Sequence, residues 1–83
     1  MIRVLVCLFD KRAELFHSPV VVNKLGVVYR QIQDEIARGG ADNPLAAHPE
    51  DFQLFEVASF DDETGEVVPH LSLVAECSSL GGA

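Results

Sequence analysis

Basic side chains are scarce in this chain. Six lysines and arginines stand against thirteen acidic residues, a formal net charge of −7. Sequence-independent affinity for nucleic acid comes largely from neutralised phosphates, so so acidic a chain repels polyanions unless its few cations cluster. Cysteine is sparse as well. Cys7 and Cys77 are the only two and have no CxxC spacing. They make neither a disulfide framework nor a metal motif, and read as reduced thiols of a cytosolic protein. The chain holds no glycine-rich phosphate loop, no HExxH and no nucleophile elbow, which leaves catalysis without a candidate set. Long apolar runs are missing too. The N-terminal one ends at Phe9, before Asp10, Lys11 and Arg12, far short of the roughly 20 residues a membrane span needs. Repeats and low-complexity tracts are absent. These absences predict a protein that is not an enzyme, with no metal, no cofactor and no membrane contact.

Apolar content is ample by contrast: 48% of the 83 residues are hydrophobic. That suits one domain, expected over residues 1–77, with a flexible C-terminal tail over 78–83. The core of so short a chain is thin, and oligomerisation is a common remedy. Residues 2–9, IRVLVCLF, alternate Ile2, Val4, Val6 and Leu8 on one face of a strand with Leu5, Cys7 and Phe9 on the other. Two apolar faces predict an interior strand covered on both sides. A single helix covers one of them; a loop, the C-terminal segment or a second subunit must cover the other.

Residues 10–22 read as a polar turn and an irregular or extended piece, since Pro19 biases Ser18 away from helix. Asn23 is the expected N-cap of a helix over 24–38, on which Leu25, Val28, Tyr29, Ile32 and Ile36 form an apolar stripe. Asp34 and Arg38 make an i,i+4 surface pair, and Gly39 and Gly40 stop the helix. Gly26 in the first turn costs about 1 kcal/mol against alanine and is read as a mark of close backbone packing. Residues 39–51 form a long exposed connection with Leu45 turned inward. Residues 52–60 and 66–74 are hairpin strands joined by Asp61, Asp62, Glu63, Thr64 and Gly65, with Gly65 at positive φ. Pro69 lacks a ladder donor and marks an edge or a bend. Strand, helix and hairpin together predict an α+β fold: a small three-stranded, largely antiparallel sheet with one amphipathic helix packed on it, completed by dimerisation.

Several groupings invite a chemical reading. Asp61, Asp62, Glu63 and Glu66 lack the alternating ligand spacing and flanking helices of a calcium loop, and read as a solvated turn. Glu50 and Asp51 are neighbours on what reads as an extended segment, so their carboxylates point apart, and Asp51 suits a turn cap. His17 has no partner nearby in sequence that would make it a base. The candidate nucleic-acid contacts are Lys11, Arg12, Lys24 and Arg30. Lys11, Arg12 and Lys24 converge into a basic corner only if the end of the first strand meets the start of the helix.

The stretch 48–68, HPEDFQLFEVASFDDETGEVV, carries the most specific pattern. Pro49, Glu50, Asp51 and Phe52, then Leu54 and Phe55, then Phe60 and Asp61 with Thr64 and Gly65, stand in an order and spacing that resembles the small nonstructural protein of gokushoviruses. These are a microvirus subfamily of single-stranded DNA phages. Upstream, Phe9, Asp10, Lys11, Arg12 and Ala13 with Phe16, Pro19 and Asn23 look like the opening of the same family, so the likeness spans about residues 4–68. Ala58 and Ser59 stand where the family usually carries a glycine, and Val20 and Val21 where it often carries aromatics. The resemblance implies a nonstructural protein of the infected bacterial cytoplasm, absent from the virion. It implies a role in the switch to single-stranded viral DNA synthesis, with weak single-stranded DNA binding, and carries no catalytic residue. The alternative is an acidic adaptor that binds the viral initiator or a host replication protein without touching DNA. A homodimer is expected in either case. Pro49, Asp51, Phe52, Phe60, Asp61, Thr64 and Gly65 are expected to serve the structure.

Overall fold

The structure, a computed structural model, describes residues 1–80. β-Branched and apolar side chains over Ile2–Asp10 build strand β1, which lies inside the sheet. Asp10 ends it: the carboxylate accepts the N–H of Arg12 at 3.0 Å and of Ala13 at 3.2 Å, and the carbonyl accepts that of Glu14 at 2.8 Å. The chain returns along the same edge of β1 as β2 (Leu15–Phe16) and β3 (Val20–Val22), both antiparallel to it. Pairing shifts by one residue between them, around Pro19, which has no N–H to give the ladder. Then come helix α1 (Leu25–Arg38), the helical turn α2 (Pro44–Ala47) and a 3₁₀ turn (Pro49–Asp51). The hairpin strands β4 (Phe52–Asp61) and β5 (Val67–Glu76) follow, and the helical turn α3 (Cys77–Leu80) ends the described chain.

The expected three-stranded sheet is thereby corrected. The sheet has five antiparallel strands in the order β2, β1, β4, β5, with β3 also paired to β1. The two extra strands come from the stretch read as irregular. Pro19 interrupts the pattern there, yet the backbone on either side still satisfies the free edge of β1, whose N–H and carbonyl groups need partners. The chain's own residues widen the sheet.

Two local expectations also change. Asn23 does not cap α1; Lys24 holds the N-cap position at φ −143° and ψ 141° and makes no side-chain cap bond. Extended backbone runs one residue past Asn23, which leaves its side chain too early for the N–H groups of the first turn. Arg38 pairs with Glu35 at 3.3 Å, not with Asp34. The helix does stop at Gly39 and Gly40, at φ 71° and 116°. Pro69 lies on β5, an edge strand, next to a register shift against β4.

Helix α1 lays Val28 and Ile32 over one face of the sheet. They close a core with Val6, Phe52 and Leu54 of the strands, Leu45 of α2 and Cys77 of α3. Leu45 is inward as expected. Cys77 has no exposed surface and begins a helical turn that takes in residues 78–80 of the expected tail; the rest of that tail, 81–83, lies outside the described residues. The other face is different. Cross-strand partners share a face, and pairing sets Leu5 beside Ala58 and Val21, Cys7 beside Phe55, and Phe9 beside Phe16. No described helix packs there.

Candidate functional site

The four candidate cations fall into two pairs. Lys11 directly follows β1: its N–H donates to the Asp51 carbonyl at 2.8 Å, and its Nζ reaches Glu76 Oε1 at 3.4 Å. Glu76 also accepts the Gln53 side-chain amide at 2.7 Å, and this bond, then Lys11, holds its carboxyl below the usual glutamate value. Lys11 is thus paired at the surface with a carboxylate of the chain itself. Arg12, beside it in the turn, is exposed. Lys24 and Arg30 lie at the start of α1, where with Gly26 and Val27 they line a shallow concavity of about 440 Å³.

The expected basic corner does not form. Val22, two residues before Lys24, is opposite Val4, whereas Lys11 follows the last residue of β1. At about 3.3 Å per residue, the intervening strand sets the two pairs on the order of 20 Å apart. The cause is the pair of strands missed in the sequence: β2 and β3 carry the chain back along β1 before the helix begins. Of the other cations, Arg3 binds Asp62 at 3.1 Å and Arg38 binds Glu35. Asp62 also accepts the Met1 amino group at 2.8 Å; that bond first, then Arg3, keeps its carboxyl below the usual aspartate value. Among the described residues, Arg12, Lys24 and Arg30 form no ion pair.

The signature residues of 49–65 lie along β4 and in the turns on either side of it. Phe52 is 3% exposed in the core, and Phe60 is opposite Arg3 on β1. Asp61 Oδ1 accepts the Glu63 N–H at 2.9 Å and Thr64 Oγ1 that of Glu66 at 3.2 Å. Gly65, at φ 79°, donates its N–H to the Asp61 carbonyl at 2.7 Å. Pro49 opens the 3₁₀ turn and Asp51 closes it. That turn overturns one expectation: Glu50 and Asp51 do not diverge, because the backbone is wound and not extended. His48, Glu50 and Asp51 each bring one donor atom within 4.8 Å of the others, with His48 and Glu50 exposed to water.

Two histidine arrangements had no signal in the sequence. His17 lines a cleft of about 240 Å³ between α1 and the break in the β2/β3 edge, with Ser18 and Gln31 as its other polar groups and Val6, Val28 and Leu54 among the apolar ones. Its ring meets Phe52 edge-on at 5.9 Å. His70 on β5 approaches Glu56 on β4 at 2.6 Å. Both rest on cross-strand or helix–sheet packing, which spacing along the chain does not encode. No described helix is long and apolar enough to cross a membrane.

A family model described as Phage ORF5 protein matches residues 3–80. No curated protein and no solved structure matches the chain.

Proposed function

Because the chain belongs to the Phage ORF5 protein family, we propose that it is a non-enzymatic, nonstructural protein of a gokushovirus. It works in the cytoplasm of the infected bacterium, outside the virion, as a regulator of the switch to single-stranded DNA synthesis. It does so by docking on a basic replication protein, viral or host. The gokushovirus assignment is supported by the ordered motifs at 49–52, 54–55 and 60–65. The docking mode rests on one observation: the chain carries thirteen acids against six bases, and three of those bases, Arg3, Lys11 and Arg38, are paired with carboxylates of the chain itself. The field outside the molecule is therefore negative, and electrostatic complementarity favours a positive partner. Capture on immobilised chain from infected cells is expected to recover a replication protein that salt elutes. Recovery of nucleic acid alone would remove this reading.

Direct contact with single-stranded DNA is the second reading, favoured by Lys24 and Arg30, which are unpaired and line one concavity. So few phosphate contacts give a shallow salt slope, roughly −0.7 in log K per phosphate neutralised. Titrating a long oligonucleotide at several salt concentrations measures it. Lys24→Glu with Arg30→Glu is expected to abolish binding, and Lys11→Glu to change it less. An absent shift at low salt would discard DNA contact and leave protein docking standing.

A further inference from the structure

The face of the sheet turned away from α1 is apolar over most of its extent. Phe9, Phe16 and Phe55 form a cluster there, with ring centroids 4.6 Å apart for Phe9–Phe16, 5.5 Å for Phe16–Phe55 and 6.1 Å for Phe9–Phe55. Cross-strand pairing continues the patch from Phe55 to Leu73 and from Phe60 to Val67, and alternation adds Leu71. Much of it is open to water: Leu71 is 65% exposed, Val67 51%, Leu73 50% and Phe16 46%, while Phe9, Phe55 and Phe60 are half-buried. The helical segments α1, α2 and α3 contribute their buried residues to the Val6 side, so the described chain has no segment left to lay over this one.

Size and charge identify what covers it. A sheet with four strand positions spaced about 4.8 Å apart, with strands roughly 30 Å long, presents on the order of 600 Å² in projection. Side-chain relief brings that near the ~800 Å² per partner of a stable protein–protein interface, and the patch is at the upper limit of what monomers leave exposed. Pairing puts two charged residues on this face, Arg3 towards one end and Glu76 towards the other, and both are already bound within the chain, to Asp62 and Lys11. The centre is free of charge on a molecule of net −7, so two copies approach here without setting acid against acid. A two-fold axis lying in the face and running across the strands sets the Arg3 end of one copy over the Glu76 end of the other. The face is thus complementary to itself.

We propose that this face is a homodimer interface, in which two copies pack sheet to sheet across the Phe9, Phe16 and Phe55 cluster. The pairing is isologous and face to face. It leaves the edges of the sheet, the helices and the acidic hairpin tip on the outside. This inference is independent of the docking reading above, because it concerns a surface with no free charge.

Sedimentation equilibrium of the full chain tests it. The expected mass is twice the 9.0 kDa of one chain at micromolar concentration. Association is expected to tighten as salt rises, because salt screens the repulsion between two acidic copies; this is opposite in sign to any contact with DNA. Leu71→Glu with Leu73→Glu, on the edge strand and away from the helix-side core, is expected to weaken the dimer by about 100-fold or more, as charges forced into a dry interface do. Circular dichroism reports whether that variant is folded. Val27→Glu, equally exposed but on α1, is expected to leave the mass unchanged. On the wild-type chain, NMR resonances of Leu5, Phe55 and Leu73 are expected to move on dilution while those of α1 hold still. A wild-type chain that stays monomeric to about 100 μM would overturn the proposal. So would a folded Leu71→Glu/Leu73→Glu variant that still dimerises, or a dimer lost in Val27→Glu.

Discussion

A Cβ built on Gly26 meets nothing within 4 Å, so the close backbone approach that its place in the first turn of α1 suggested does not occur. Glycine there only loosens the helix. Gly26→Ala is expected to stabilise the protein by about 0.5–1 kcal/mol in denaturant melts, without changing the fold. An unchanged or lowered midpoint would show that this position needs glycine for a reason other than space. Cys77 is the opposite case, a residue that looked terminal and is central. Burial pushes its thiol up to about 11 and raises Cys7 as well, so the reactive thiolate is scarce at neutral pH. Folded protein at pH 8 is expected to react slowly with a thiol reagent and unfolded protein fast; rapid labelling of Cys77 in native buffer would contradict its burial. Adjacent-residue patterns revealed neither fact, because exposure and burial at these two positions depend on what the sheet and helices bring alongside.

At the level of elements, the hairpin was legible almost to the residue. Its turn is closed by short-range bonds among Asp61, Thr64, Gly65 and Glu66, and such bonds are written in local sequence. Gly65 is the position that tolerates no other residue cheaply, at φ 79° with open space around it. Gly65→Ala is expected to cost about 1–2 kcal/mol from backbone conformation alone, measured as a drop in unfolding free energy. Helix α1 was legible too, through its apolar stripe and the two glycines at its end, although its start was placed one residue early. Strands β2 and β3 were not legible. Two and three residues on either side of a proline hold too little periodicity to declare a strand, and they are strands only because β1 offers an unpaired edge. The candidate basic corner failed for the same reason, since its convergence depended on where the missed strands carried the chain.

Over the whole molecule, two carboxylates tie the ends of β1 to its surroundings: Asp62 at the start, through Met1 and Arg3, and Glu76 at the end, through Gln53 and Lys11. Both titrate below their ordinary values of 3.8 and 4.5. A carboxyl with a lowered folded-state value stabilises the fold above its ordinary value and ceases to do so as pH falls through the lowered one. Stability is therefore expected to decline on acidification below about pH 4.5, and Asp62→Asn with Glu76→Gln to flatten that decline in acid titrations followed by circular dichroism. Both groups are exposed, so the effect is small and fades with salt. An acid limb as steep in the double variant as in the wild type would assign it to other groups.

What the sequence determined by itself was whatever depends on neighbours along the chain: the acidic character, the apolar alternation of β1, the stripe on α1 and the turn chemistry around Gly65. It also contained the fact that β1 is apolar on both sides. Only the tertiary structure decided which side α1 would cover, that 10–22 would add two strands, and that Lys24 and Arg30 would lie far from Lys11 and Arg12. The physical reason is that these outcomes are settled by pairing and burial between residues remote in sequence. The apolar face opposite α1 is the clearest case: alternation made it apolar, and the packing of every described helix on the other side left it open.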